Sequence, residues 1–330
     1  MTRHDAGLSP AFVETIAGLT AGSVATLVVH PLDIVKTRMQ IHRGHGATSQ
    51  ALTTISVIRG LTSTPHPVAA LYRGLTPNLL GNASSWASFF FFKARAENAI
   101  LAIKGRSPGD NDVVAAAAAA LTPQDYFIAS GVAGIFTQVL TNPIWVLKTR
   151  MLSSDRGAVG AYPSMWAGAV QLLRTEGWRG FYRGLGISLF GVSHGAVQFA
   201  VYDPLKQMYM KRRQKSAGPI HRPDDRGKQR MTNEATLVIS SVSKLVAGAV
   251  TYPYQVIRSR LQNYDAEERF GRGIRGVMRR TWTEEGWRGF YRGIIPGVVR
   301  VMPATWVTFL VYENTKFYLP KWMSDPSIEQ

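Results

Sequence analysis

One charged pattern occurs three times in this chain, about 110 residues apart. In each copy a proline is followed two residues later by a polar or aromatic residue, and five residues later by a lysine or an arginine. A repeat with a fixed period indicates that the chain is built from three copies of one structural unit. The prolines are Pro31, Pro143 and Pro253; the second positions after them hold Asp33, Trp145 and Gln255, and the fifth positions hold Lys36, Lys148 and Arg258.

These residue types at this spacing could form a ring of ion pairs. The second and fifth positions are three residues apart and therefore share one helix face. A proline inside a helix kinks its axis, so three equivalent prolines turn three helices inward together. A carboxylate of one repeat then meets a base of the next across the floor of a cavity. Since only one carboxylate is present, we expect at most one salt bridge, from Asp33, while Trp145 offers its ring to an arginine and Gln255 accepts one hydrogen bond from a lysine.

Positions that differ between the repeats are candidates for solute recognition. When the spans after Gly74, Gly184 and Gly293 are aligned, one arginine stands opposite two glycines. A lone arginine deep in a span indicates an anchor for phosphate or carboxylate, the glycines leave room for a bulky ring, and a tryptophan can stack on a flat one. The candidate solute contacts are Arg300, Lys244, Trp86, Gly81, Asn82, Gly191, Val192 and His194, the last of which has no nearby acid to make a catalytic dyad.

Six windows with at most one charge each separate the basic segments of the chain. They are rich in Gly, Ser, Thr and Asn, which suits tight helix packing in lipid or a helix face exposed to water. Each has roughly the length of a bilayer-spanning helix, so we predict six amphipathic spans around a water-filled cavity, and such pseudosymmetry in a membrane protein suggests a transporter. The windows cover residues 9–29, 78–92, 126–147, 184–202, 235–257 and 294–312.

The composition limits which classes of partner and cofactor the protein could bind. The net charge of +17 favours anionic solutes, lipid headgroups or nucleic acid. The sequence has no cysteine, which excludes disulfides and thiolate metal sites, and we expect no metal site and no bound cofactor. The first ten residues lack the basic and apolar regions of a secretory signal.

The repeats can be given approximate boundaries. They cover residues 9–104, 123–213 and 234–320, joined by linkers at 105–122 and 214–233 and followed by a tail at 321–330. Short helices are predicted at 50–61, 163–176 and 273–285. The Glu-Gly pairs after the second and third of these indicate helix ends, and the Arg-Gly pairs that follow indicate tight turns.

Together these motifs resemble the mitochondrial carrier family over residues 9–320. The resemblance implies an all-α, six-helix bundle in the inner mitochondrial membrane, with a functional monomer, cardiolipin at the short helices and both termini in the intermembrane space. It implies alternating access between a matrix gate at the signatures, braced by Gln40 and Gln262, and a cytoplasmic gate. The cytoplasmic gate would comprise Tyr202, Asp203, Lys206, Tyr312, Glu313 and Lys316.

Within the family, the segment around Trp145 resembles the branch that carries folate, FAD, NAD and pyrimidine nucleotides, and the segment around Gln255 resembles the FAD and folate carriers more closely than the others. The Ser-Lys pair at Lys244 and the Ser-His-Gly segment at His194 are similar to the FAD and folate carriers in particular. A large, flat, anionic cofactor fits the predicted contacts, so FAD or folate is the expected solute. NAD or a pyrimidine nucleotide is the alternative within the family.

Two other protein classes fit the sequence less well. An enzyme is disfavoured because the sequence has no metal-ligand cluster, glycine-rich phosphate loop or nucleophile elbow. A soluble, basic, helical nucleic-acid-binding protein is the more remote alternative. Its charge would form one stripe, whereas here low-charge windows alternate with basic segments, so we expect no nucleic-acid partner.

Overall fold

The computed structural model of the chain describes residues 10–42, 53–104, 121–155, 157–158, 160–216, 232–264 and 266–323. Over these residues the regular secondary structure is helical throughout, with no strand. Most of both predicted linkers, and residues 324–330 of the predicted tail, lie outside the described residues. The helices are α1 Pro10–Ile41, α2 Thr54–Thr62, α3 Pro67–Leu71, α4 Leu75–Ile103, α5 Pro123–Ser153, α6 Met165–Phe181, α7 Leu185–Leu189, α8 Ser193–Ser216, α9 Asn233–Val250, α10 Tyr252–Gln262, α11 Ala266–Phe270, α12 Gly273–Gly289, α13 Ile294–Val299 and α14 Val301–Met323.

The repeat organisation is visible in the helix order. Each repeat begins with a long helix and ends with a second one, with shorter helices between them; the signature lies in the first long helix of the first two repeats and in the short helix α10 of the third. In the second and third repeats the second long helix is interrupted near its start, after α7 and after α13. The fifth predicted span is also divided, because α9 ends at Val250 and α10 begins at Tyr252, just before Pro253.

Glycine determines where the chain turns between these helices. Gly74, Gly184 and Gly293 have φ of 73°, 73° and 80°, and each precedes the second long helix of its repeat. Gly177 and Gly286, with φ of 64°, end the regular part of α6 and α12. Residues other than glycine disfavour this backbone region. The helix ends predicted from the Glu-Gly pairs and the turns predicted from the Arg-Gly pairs are therefore confirmed.

In the part of the chain that the structure describes, four helical segments are long and apolar enough to cross a membrane: Val13–Ile41, Gln124–Ser153, Leu185–Arg213 and Ile294–Leu319. The second predicted span lies in α4, whose Ser and Asn residues reduce its mean hydropathy. The fifth is divided, and its apolar part, Val238–Val250, is shorter.

The long helices pack as three pairs: α1 with α14, α4 with α5, and α8 with α9. Each pair joins the second long helix of one repeat to the first long helix of another. For example, α14 belongs to the third repeat and α1 to the first. The pairs meet one another near the three signatures, where side chains of different repeats form hydrogen bonds and ion pairs. This end of the bundle therefore holds the polar site.

Candidate functional site

The three signatures form a closed ring of polar contacts, called here the signature ring. Asp33 Oδ2 lies 3.8 Å from Lys148 Nζ, which joins the first repeat to the second. The guanidinium of Arg258 lies 5.9 Å from the Trp145 ring centroid and joins the third repeat to the second. In each contact the second position of one repeat meets the fifth position of the next.

The third contact of the ring joins the third repeat to the first. Lys36 Nζ donates a hydrogen bond of 2.8 Å to Gln255 Oε1. The ring therefore contains one salt bridge, one cation–π contact and one hydrogen bond. Lys148 also lies over the Trp145 ring, 4.8 Å from its centroid, so that two cations share one aromatic side chain.

Asp33 has a partner that the signature alone did not indicate. Its Oδ1 forms an ion pair with Arg300, which lies between α13 and α14, and its Oδ2 accepts a hydrogen bond of 3.2 Å from Asn78 Nδ2. The Asp33 side chain is 7% exposed, whereas that of Arg300 is 35% exposed. Arg300, expected as a solute anchor, is therefore also part of the charge balance of the signature ring.

The signature prolines and glutamines surround this ring. Pro31 and Pro143 lie inside the continuous helices α1 and α5, whereas Pro253 lies in the first turn of α10. Gln40 Nε2 donates to the hydroxyl of Tyr252, and its Oε1 accepts from Ser259. The Oε1 of Gln262 accepts from Thr149. Both glutamines thus bond across repeats just below the ring.

A second ring involves arginines to which the sequence interpretation gave no role. Each lies seven residues after a signature proline and donates from Nε to a main-chain carbonyl of another repeat, nine residues after that repeat's proline. Their recurrence in all three copies was the signal that could have found them. The bonds run from Arg38 to Leu152 O (3.3 Å), from Arg150 to Gln262 O (3.1 Å) and from Arg260 to Gln40 O (3.0 Å).

Carboxylates of the Glu-Gly pairs neutralise two of these arginines. Arg150 pairs with Glu176 at 2.6 Å, and Arg260 pairs with Glu285 at 2.9 Å. The first repeat has no Glu-Gly pair, and Arg38 instead reaches Asp155 of the second repeat at 2.6 Å. That pair is the most open of the three, because the Asp155 side chain is 61% exposed.

Two tyrosines complete the surroundings of Arg150. The Tyr162 hydroxyl accepts a hydrogen bond from Arg150 at 3.1 Å, and the guanidinium lies 5.2 Å from the Tyr264 ring centroid. Burial raises the pKa of Tyr162 and raises the pKa of Tyr264 to about 12. Both phenols therefore stay neutral at physiological pH, and the charge of Arg150 is balanced by Glu176.

A third set of equivalent contacts comes from chemically different residues. The residue before each signature proline bonds to the carbonyl of the arginine in the tight turn of its own repeat. His30 Nε2 lies 3.0 Å from Arg73 O, and Asn78 bonds to the other ring nitrogen of His30. The corresponding bonds run from Asn142 Nδ2 to Arg183 O, with a shorter one to Phe181 O, and from Tyr252 OH to Arg292 O.

A cavity of about 280 Å³ lies at the signature ring and extends to Gln40 and Gln262. Its wall includes Lys36, Lys148, Arg258, Arg300 and His194. Lys244 is exposed on α9 and lies close enough to Arg300 and His194 to interact with them electrostatically. Lys244, His194 and Arg300 therefore lie in the same part of the bundle, where Asp33 faces several cations.

Four of the predicted solute contacts lie at helix–helix contacts in this conformation. A side chain at Gly81 would come within 3.4 Å of the Trp145 ring, and one at Gly191 within 3.1 Å of the Tyr254 hydroxyl. The room beside both glycines is therefore occupied by the protein's own rings. Asn82 donates to Thr26 of α1 at 3.1 Å, and Val192 packs against Gly134 of α5.

Trp86 remains available for contact with a ligand or with lipid. Its side chain is 64% exposed and stacks on Phe90, with the ring centroids 5.8 Å apart. It follows Asn82 by four residues, which is about one helical turn, and therefore shares the helix face that meets α1.

The residues predicted for the second gate, called here the outer ring, include a contact within one helix, since Lys316 Nζ lies 5.7 Å from the Tyr312 ring centroid. Asp203, Lys206 and Glu313 are exposed, and Tyr202 and Tyr312 are half-buried. Among the described residues no ion pair joins Asp203 to Lys316. Lys316 instead lies 3.4 Å from Glu14. Contacts between repeats therefore bridge the signature ring, whereas the described contacts show no Asp203–Lys316 bridge at the outer ring.

This arrangement defines a class of protein: a membrane transporter built from three repeats, with a cationic cavity closed at one end by a polar ring. Residues 8–102, 119–213 and 229–322 each match the family described as Mitochondrial carrier protein. The chain belongs to the mitochondrial carrier family, and it is a transporter and not an enzyme.

Several relatives are similar along nearly their whole length. The chain is 38% identical to the mitochondrial FAD carrier protein FLX1 of Saccharomyces cerevisiae, over 94% of this chain and 98% of the relative. It is 33% identical to the chloroplastic folate transporter 1 of Arabidopsis thaliana, over 90% of this chain and 92% of the relative. It is 32% identical to the chloroplastic nicotinamide adenine dinucleotide transporter 1 of the same plant, over 92% and 90% respectively.

Proposed function

We propose that this carrier transports FAD, or a folate, across the inner mitochondrial membrane. Alternating access would run between a matrix gate at the signature ring and a cytoplasmic gate at the outer ring. The likeness to the FAD and folate relatives supports the choice of solute. The chemistry of the cavity supports an anionic solute, because its wall presents several lysine and arginine side chains.

The observation that carries the proposal is the pair of cations at Lys244 and Arg300. No ion pair of Lys244 is found among the described residues, so its ammonium group is available to a phosphate or carboxylate. Arg300 is held by Asp33, and a solute phosphate can bind it only by competing with that carboxylate. Arginine suits this exchange, because its planar guanidinium binds carboxylate and phosphate in the same bidentate way.

This competition would couple solute binding to the matrix gate. While Arg300 holds Asp33, the signature ring keeps its one carboxylate in place beside Lys148. A phosphate on Arg300 would release Asp33 and leave the cations of the ring less well neutralised. Like charges then repel, and the closed end would open more easily.

Uptake by proteoliposomes tests the proposal. Purified carrier would be given radiolabelled FAD, folate, NAD and UTP, with and without internal counter-solute. Uptake of FAD or folate above the others supports the proposal, whereas uptake of NAD or UTP alone would favour the rival solutes and keep the carrier mechanism. Arg300→Ala should then reduce uptake, and transport at the wild-type rate by that variant would refute the role given to Arg300.

The location and lipid contacts are part of the same proposal. Both termini would face the intermembrane space, and the carrier would act as a monomer. Trp178 and Trp287 follow the Glu-Gly pairs and are 72% and 62% exposed, next to basic residues. Exposed tryptophans beside cations suit the headgroup level of an anionic lipid such as cardiolipin.

A further inference from the structure

His194 has an unusual position in the cavity wall. It lies in the first turn of α8, and it lines the cavity at the signature ring. One edge of the ring faces the break between α9 and α10, where Nδ1 lies 2.9 Å from Thr251 Oγ1. The ring also contacts the backbone of Ala247, whose carbonyl oxygen lies 2.6 Å from the same Thr251 hydroxyl and so belongs to the Nδ1 side of the ring. No other hydrogen-bond partner of the ring is found among the described residues.

The hydrogen bonds of Thr251 determine which nitrogen of His194 carries the proton. A threonine hydroxyl has a single hydrogen to donate. Thr251 Oγ1 lies 2.6 Å from the carbonyl oxygen of Ala247, and two oxygens at that distance require a hydrogen between them. The hydroxyl can therefore only accept from the imidazole, which places a proton on Nδ1. In the neutral ring Nε2 is then an acceptor.

Acceptors that are not already used are scarce in this cavity. The carboxylate of Asp33 is taken by Arg300, Lys148 and Asn78. The amide oxygen of Gln255 accepts from Lys36. The remaining charged groups of the wall, such as Arg258, are donors. A solute group that donates a hydrogen bond therefore finds an open nitrogen acceptor at His194, whereas a phosphate does not.

We infer that Nε2 of His194 accepts a hydrogen bond from a ring N–H of the transported solute and so contributes to its selection. The chemical class is a heteroaromatic ring with an imide or lactam N–H at its edge, as in an isoalloxazine or a pterin. The inference rests on the proposed function. His194 would bind the polar edge of the ring, and Lys244 and Arg300 would bind the anionic groups. Different residues would therefore recognise the two ends of the solute.

A methylated solute tests this assignment. FAD and 3-methyl-FAD differ only at the imide nitrogen, which cannot donate once methylated. The wild-type carrier should take up FAD with a KM about 10-fold lower than that for 3-methyl-FAD, because an unpaired buried acceptor is costly. His194→Asn keeps an amide donor near Thr251 and removes the Nε2 acceptor. This variant should raise the KM for FAD about 10-fold, leave that for 3-methyl-FAD unchanged, and so lose the preference.

His194→Gln is the matched control, because its longer amide can place an oxygen where Nε2 lies and should keep part of the preference. Unchanged uptake of 3-methyl-FAD by His194→Asn shows within the same experiment that the variant is folded. Equal KM values for the two flavins in the wild type, or full preference in His194→Asn, would overturn the inference while FAD transport itself stands. Absence of FAD uptake by the wild type would instead remove the proposed function on which the inference rests.

Discussion

Replacing Asp33 by asparagine should weaken the closed end of the carrier more than any exposed charge substitution does. The Asp33 side chain is 7% exposed and faces Arg300 and, at 3.8 Å, Lys148. Removal of one partner from a buried ion pair costs about 3–5 kcal/mol. Because Arg300 is 35% exposed and can be solvated in part, we expect the lower end, about 3 kcal/mol. The hydrogen bond from Asn78 can persist to the new amide oxygen.

Thermal unfolding in detergent measures this effect. At about 2 °C per kcal/mol for a large chain, Asp33→Asn should lower Tm by roughly 6 °C. Asp155→Asn is the control, since its carboxylate is 61% exposed and an exposed pair contributes at most about 1 kcal/mol. In Asp33→Asn the substitution Arg300→Gln should cost less than in the wild type, because the arginine no longer has its carboxylate. The reasoning is refuted if Asp33→Asn lowers Tm no more than Asp155→Asn.

Three further predictions concern other parts of the site. Glu285→Gln should destabilise the fold by about 3 kcal/mol and Glu176→Gln by less, since their side chains are 2% and 22% exposed; equal shifts in Tm would contradict this. Lys244→Gln should raise the KM for the transported anion about 10-fold with little change in kcat, measured in proteoliposomes against Lys211→Gln, an exposed lysine that should have no effect. Gly286→Ala should cost about 1–3 kcal/mol although the space around it is open, because φ of 64° and ψ of −158° strain any other residue; an unchanged Tm would show that the turn can shift without cost.

The architecture was predictable because its signals are local and repeated. Each signal is found within a short stretch of sequence and recurs at the same period. The signals are the signature spacing, the low-charge windows and the Glu-Gly and Arg-Gly pairs. The three contacts of the signature ring also follow from local spacing plus threefold repetition. The fifth span was harder, because a break before Pro253 looks in the sequence like the inward kinks expected at Pro31 and Pro143.

The solute site was less predictable, because its residues act across repeats. Sequence alignment of the spans identified Arg300 as an outlier, but no sequence signal indicated that Asp33 would hold it. The glycines at 81 and 191 suggested open space, yet aromatic rings from neighbouring helices occupy it. Whether a missing side chain leaves room depends on what packs opposite, and that is a property of the assembled bundle.

The sequence by itself determined the threefold bundle, the turns between its helices and the kinds of partner in the signature ring. Only the tertiary structure decided which groups balance one another's charge and which side chains donate to the equivalent carbonyl in each repeat. His30, Asn142 and Tyr252 share no chemistry that alignment would detect, yet each bonds to the carbonyl of the arginine in its own tight turn. A backbone carbonyl accepts from any donor within hydrogen-bonding distance, so the position of the donor in the fold matters there more than its residue type.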